Sequence, residues 1–142
     1  MCVLCKKVDQ SIIHDADYFI KEFKHSILIV GEHQFFRGYC QLVFKQHVPE
    51  VTDLDPSIQN EFFKELMICA SAIKSAFQPV RMNYSSLGNV VPHIHFHLFP
   101  RYQEELDRQK KLDPWANADI FSKHKSNEDD LLVVKEKVMG FL

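Results

Sequence analysis

A chain of 142 residues, 46% apolar and 25% charged, has the size and balance of one soluble globular domain. Net charge is −2 with histidine neutral, so no basic excess points to a nucleic-acid partner, and any bound phosphate needs local donors. No long apolar run suggests a membrane span, and "MCVLCKK" has neither the basic nor the apolar region of a secretory signal, which predicts a cytoplasmic protein without a membrane partner.

The N-terminal half reads as β. Tyr18–Phe23 is a short aromatic run, and Ser26–Gly31 (SILIVG) is a continuous apolar run, the pattern of a strand buried on both faces. Gly31 and the polar pair after it read as a turn. Gly38–Phe44 (GYCQLVF) is rich in strand formers and stops at a charged break. Asp55-Pro56 opens the clearest helix, with Asp55 at the cap and Pro56 at the first turn, where a missing N–H does no harm. Ile58, Phe62, Leu66, Ala70, Ile73 and Phe77 step by three or four onto one face, and Phe63 and Met67 are expected to widen it. Gln78-Pro79 ends the helix.

Val80–Leu87 reads as a strand and Gly88-Asn89 as a turn or phosphate-facing loop. His93–Arg101 is another strand, with Pro92 tolerated at its start. Residues 103–126 are polar and irregular. A second helix is expected near Asn127, with Glu128, Asp129 and Asp130 favourably placed against the helix dipole. Consecutive strands with two main helices predict an α+β fold with an antiparallel sheet, as a single domain over 1–142 whose segment 103–142 is a variable loop plus a terminal helix.

His93, His95 and His97 recur at every second position within "PHIHFHLFPRY". Strand side chains alternate, so these imidazoles share one face, about 7 Å apart, while Ile94, Phe96 and Leu98 share the other. The pattern predicts a half-buried strand whose exposed face is all imidazole. Two chemistries use it. His-x-His can present two nitrogens to one metal ion, or imidazole can attack phosphorus while its neighbours stabilise phosphate oxygens. No carboxylate lies within five residues of the three histidines, which argues against a locally built two-histidine, one-carboxylate metal site. Gly88 and Asn89 offer backbone and amide donors nearby, suiting an anionic phosphoryl group. The cysteines are at 2, 5, 40 and 69. Without a signal they read as thiols or metal ligands rather than disulfides. Cys2-x-x-Cys5 has ligand spacing but is half a site. Cys40 and Cys69 read as buried small hydrophobes.

"HIHFHLF" resembles the histidine-triad motif, His-φ-His-φ-His-φ-φ with φ apolar. "MNYSSLGNVVPHIHFHLFPRY", "GYCQLVFKQHVPEVTDL" and "DPWA" extend the resemblance to the bacterial branch described as diadenosine tetraphosphate hydrolase-like, over about residues 2–116. The resemblance implies a fold of about five antiparallel strands and a nucleotide hydrolase or nucleotidyl transferase. Its middle histidine, here His95, would attack the α-phosphorus of a purine nucleotide conjugate and form a covalent nucleotidyl-histidine. His97 would contact the phosphate. His93 would orient its neighbours or bind zinc. Asn89, where relatives often carry Gln, would touch a phosphate or bridging oxygen, and Val90 replaces a Ser that many relatives use. His47 falls at a family position near the α-phosphate or a metal, and is otherwise a loop histidine. Asn83 and Gly88 join the substrate-binding candidates. Arg101 would meet distal phosphates or form a surface ion pair. Phe19, Phe23 and Ile27–Ile29 would line a nucleoside pocket or be ordinary core.

Some relatives complete the cysteine pair with two histidines, which maps here to Cys2, Cys5, His47 and His93, a closed and therefore structural zinc set. No cofactor is implied for the chemistry itself. Relatives are commonly homodimers. Candidate substrates are diadenosine polyphosphates, adenosine phosphoramidates and adenylylated amines. Two other readings stand beside the enzyme: a non-catalytic nucleotide-binding or sensor protein, and a metal-dependent hydrolase using the histidines directly.

Overall fold

The computed structural model describes residues 2–105 and 123–142. In chain order come α1 (Val3–Lys7), a 3-10 turn (Ile13–Asp15), β1 (Phe19–Glu22), β2 (Ser26–Val30), β3 (Cys40–Phe44), a second 3-10 turn (Val51–Asp53), α2 (Pro56–Phe77), β4 (Arg81–Ser85), β5 (His95–Arg101) and α3 (Glu128–Met139). The five strands form one sheet in the order β1-β2-β3-β5-β4, with every pair antiparallel. The α+β architecture predicted from the sequence is therefore present.

Strand alternation sorts the sheet into two faces. On one, Leu28, Val30, Leu42, Phe44 and Leu98 pack against Phe62, Leu66, Cys69 and Ile73 of α2 and Val134 and Val138 of α3. Burying each large side chain contributes roughly 1.5–3 kcal/mol. On the other face, Ile27, Ile29 and Val43 lie under Leu4, Val8 and Ile13 of the N-terminal segment. This explains why SILIVG has no polar alternation: Ile27–Val30 are fully buried because both faces of β2 are covered. Phe19, Phe23 and Ile27–Ile29 belong to these two cores.

Pro56 begins α2, and Gln78 ends it in the left-handed conformation (φ 52°) just before Pro79. Asp55 occupies the cap position, but its side chain makes no capping bond. Phe63 and Met67 do not widen the buried stripe. They are 41% and 47% exposed, because the sheet is reached only by the narrower face through Phe62 and Leu66. The N-terminal half of α2 also ties down the β1–β2 turn. Buried Glu65 accepts the His25 backbone N–H at 3.0 Å and the Ser26 hydroxyl, while Lys24 donates to Glu61 at 2.7 Å. α3 starts as expected, with Asn127 and Asp130 forming a reciprocal capping box.

Two features escaped the periodicity argument. α1 is five residues long with no side-chain cap, too short to carry a helical stripe. Residues 123–126 return to the loop after β2, where Lys125 bridges His33 and the Ser126 N–H donates to the Glu32 carbonyl at 3.1 Å. "DPWA" lies outside the described residues. No described helix is long and apolar enough to cross a membrane.

Candidate active site and metal cluster

β5 begins at His95 rather than His93. His93 sits in the bend after Pro92. The imidazole face is not exposed either: His93, His95 and His97 are only 1%, 6% and 5% accessible. The N-terminal segment and the 87–91 loop form walls over that face, which a strand-local reading does not anticipate. The three rings also divide. His93 packs edge-on to His47 with centroids 5.4 Å apart, and His95 edge-on to His97 at 4.9 Å.

Register explains the setting of the second pair. His97 faces Gln41 of β3 and Ser85 of β4, and His95 faces Val43. The His93 carbonyl is an acceptor 2.6 Å from His95 Nδ1, so Nδ1 carries the proton and donates, leaving Nε2 bare. At His97 the order reverses. Gln41 donates its amide to the Tyr39 oxygen at 2.6 Å, and the buried Tyr39 hydroxyl donates onward to His97 Nδ1 at 2.6 Å. His97 therefore holds its proton on Nε2. Burial, then repulsion from His95 and Lys7, lowers the His97 pKa from its ordinary 6.5 to about 3, so the ring stays neutral near pH 7. Tyr39 reaches this position because Gly31 has no side chain. A Cβ there would lie 2.1 Å from the Tyr39 ring.

His95 and His97 line a cavity of about 500 Å³. Its apolar wall comes from Val3, Leu4, Leu87, Val90 and Val91. Its polar lining includes Lys7, Glu32, His33, Gln41 and Asn89. Lys7 donates to Glu32 at 2.7 Å. The buried Nδ1 of His33 has no hydrogen-bond partner among the described residues, a group that costs free energy unless a ligand or water meets it. Lys7, Glu32, His33, Tyr39 and Gln41 escaped the sequence argument. They reach the cavity from α1, the loop after β2 and the neighbouring strand, and only pairing register could have indicated them.

Of the sequence candidates, Asn89 lines this cavity with His95 and His97. Gly88 does not. A Cβ at Gly88 would point toward the Pro49 carbonyl and Glu50 instead. Asn83 and Arg101 line a separate depression with Arg81 and Glu105. Arg101 donates there to Asn83 Oδ1 at 2.9 Å and to Glu105 at 2.8 Å. Arg101 is six residues beyond His95 on β5, about 20 Å along the strand.

His47 turns away from the cavity to a cluster with Cys2, Cys5 and His93, whose ligand atoms all lie within 4.8 Å of one another. Cys2 Sγ is 3.6 Å from His93 Nδ1, and Cys5 Sγ is 3.4 Å from both His47 Nδ1 and His93 Nδ1. The two Nδ1 atoms are themselves 3.4 Å apart. A tetrahedral zinc with ordinary bond lengths separates its ligand atoms by about 3.3–3.8 Å. His93 Nε2 donates to the Phe44 carbonyl at 2.7 Å, which leaves Nδ1 bare for a metal and fixes the ring. These four separations fall in that range and the remaining ones lie within 4.8 Å, so the donor set suits zinc in type and number and would leave no open position.

Comparison with known proteins agrees with this geometry. The HIT domain family model matches residues 14–104. "Protein hit" of Bacillus subtilis is 26% identical over 106 residues, 71% of each chain. The asymmetrical bis(5'-nucleosyl)-tetraphosphatase of Schizosaccharomyces pombe is 26% identical over 113 residues, 76% of this chain and 58% of that one, so this chain spans under two thirds of its length. A histidine triad protein from Sinorhizobium meliloti shares the fold with a TM-score of 0.76 at 20% identity, over 94% of this chain and 95% of that chain. A HIT family protein from Bacillus anthracis gives a TM-score of 0.61 at 27% identity, over 86% and 93%. A family match over residues 14–104, well over half of the chain, means that this protein belongs to the HIT family.

Proposed function

We propose that this chain is a nucleotide hydrolase or nucleotidyl transferase acting at the α-phosphate of purine nucleotide conjugates, with His95 as the nucleophile. One observation carries the reading: His95 and His97 share a cavity and hold their protons on opposite nitrogens. A bare Nε2 on His95 is a nucleophile, and an Nε2–H on neutral His97 is a donor for a phosphate oxygen. In the first step His95 Nε2 bonds to the α-phosphorus, and the bond from phosphorus to the leaving group breaks with its electron pair. The ring becomes cationic, and the His93 carbonyl stabilises it through Nδ1–H. Water then attacks phosphorus, the P–N pair returns to Nε2, and the water's second proton is lost to solvent. The product is a nucleoside monophosphate. An acceptor other than water makes the same chemistry a transfer.

Asn89 is the residue we assign to the phosphate or bridging oxygen. Lys7, Glu32 and His33 form a polar lining for the rest of the substrate. The relative that hydrolyses bis(5'-nucleosyl) tetraphosphate makes diadenosine tetraphosphate the first substrate to try, and an adenosine phosphoramidate the second. Cys2, Cys5, His47 and His93 would hold a structural zinc. Such an ion supplies a cross-link between the chain start and the sheet, and no step of the reaction passes through it. A homodimer is part of the same proposal: β4 ends the sheet, and its Tyr84 is 46% exposed, an edge that a partner would protect.

The test is product analysis by chromatography with both substrates, His95→Ala alongside, and circular dichroism as the folding control. AMP release by the wild type and none by the folded variant supports the enzyme. Binding of AMP with no turnover of either compound would instead favour the sensor reading.

A further inference from the structure

The metal cluster and the substrate cavity share one short piece of chain. Cys2 and Cys5 face the cluster. Val3, Leu4 and Lys7, from the same turn, line the cavity. On its own this turn has little reason to persist. α1 has five residues and no side-chain cap, well below the roughly 12–15 residues at which an isolated helix becomes even marginal. Its other anchors are buried Leu4, the Lys7–Glu32 ion pair and the Tyr18 hydroxyl, which donates to the Lys7 carbonyl at 3.0 Å. Lys7 is mostly buried but Glu32 is 58% exposed, so solvent screens that pair.

Resting on the nucleotide reading above, we propose that α1 is a wall of the substrate site held in place by the metal, so that metal and nucleotide occupancy are positively linked. Metal bound by Cys2 and Cys5 fixes Val3 and Leu4 against the substrate, and substrate packed on Val3 and Leu4 holds Cys2 and Cys5 in position for the metal. Linkage requires the two effects to be equal: whatever factor metal contributes to nucleotide affinity, nucleotide contributes to metal affinity. Val3 is 59% exposed and lines the cavity, so its side chain is open to a substrate that fills the site.

The experiment measures AMP affinity by calorimetry on the zinc-loaded protein and on chelator-stripped protein. Zinc affinity is measured by competition with a chromogenic chelator, with and without saturating AMP, and circular dichroism reports folding. Stripped but folded protein is expected to bind AMP at least about tenfold more weakly, and AMP is expected to tighten zinc by the same factor. A second arm avoids metal removal. Zinc-loaded Val3→Glu places a carboxylate on the wall, and it should lose at least about tenfold in AMP affinity while binding zinc, without AMP, as the wild type does. Equal AMP affinity in wild type and Val3→Glu, or in loaded and stripped folded protein, overturns the linkage. If stripping unfolds the chain, zinc affinity with and without saturating AMP decides, and equal values overturn the linkage. A zinc-loaded wild type that binds no AMP overturns the nucleotide reading itself, a distinct failure.

Discussion

Two corners of this molecule use the same residue type on the same stretch of chain and prepare it for opposite tasks. At the cluster, His93 donates Nε2–H to a backbone carbonyl and presents a bare Nδ1 to two thiols and a second imidazole. Two residues on, His95 donates Nδ1–H to a backbone carbonyl and is left with a bare Nε2 in the cavity wall. His97 reverses this again, because a tyrosine hydroxyl rather than a carbonyl meets its Nδ1. A carbonyl can only accept and a relayed hydroxyl can donate, so the neighbour decides the tautomer and the tautomer decides whether a ring is ligand, nucleophile or donor.

The sharpest way to break this contrast is at His95, the proposed nucleophile. His95→Ala should lower kcat by at least roughly ten-thousand-fold with the fold intact, since no neighbouring group replaces a covalent nucleophile. A fall below a hundredfold in single-turnover assays would sink the assignment. At the cluster, Cys5→Ser should weaken zinc by at least roughly a hundredfold in chelator competition, as loss of a direct ligand costs at least as much as loss of an outer partner. It should lower the melting temperature while leaving tautomers at His97 unchanged. Unaltered zinc affinity would show that the four groups do not act as one site.

Tyr39→Phe tests the relay. Removing the hydroxyl should cost about tenfold in kcat, one hydrogen bond's worth, and nitrogen NMR should show His97 losing its single tautomer. Gln41 lies 3.3 Å from His97 Nδ1 and donates to the Tyr39 oxygen, so Tyr39→Phe combined with Gln41→Leu should cost less than the sum of the two single changes. Additive effects would mean that the two residues act separately.

Acid should separate the corners by stability. The depressed pKa of His97 means that its neutral, buried form stabilises the fold fully above pH 6.5, and that this contribution is lost as pH falls toward about 3. Glu61, held down to about 2 by hydrogen bonds from Lys24 and His25, adds a loss between pH 4.5 and about 2. Urea midpoints at pH 7, 5 and 4 should decline, and His97→Gln should flatten the upper part of that decline. A flat wild-type curve would contradict the buried neutral ring. The smallest expected effect is His33→Phe, which should raise KM a few-fold and leave stability level or improved, because it removes a buried nitrogen with no partner among the described residues. An unchanged KM removes His33 from the substrate lining.

Much of this was legible before folding. The starts of α2 at Pro56 and of α3 near Asn127, the unbroken apolar run of β2 and the alternation along β5 are written in short-range spacing, and the resemblance named the Cys2, Cys5, His47 and His93 set that the fold brings together. Asn83 and Arg101 show where that legibility stops. They flank the triad in sequence, yet they meet each other in a separate depression, because a strand carries residues away from a site as fast as it carries them toward it.

The sequence alone determined periodicities and turn points, since these depend on covalent spacing and on steric rules acting over a few residues. Tertiary structure decided which histidines pair, how the chain start meets His93 some 90 residues later, and how Tyr39 and Gln41 come to stand beside His97. Those outcomes rest on strand register and on the packing of α1 over the sheet, non-local choices that no window of neighbouring residues contains.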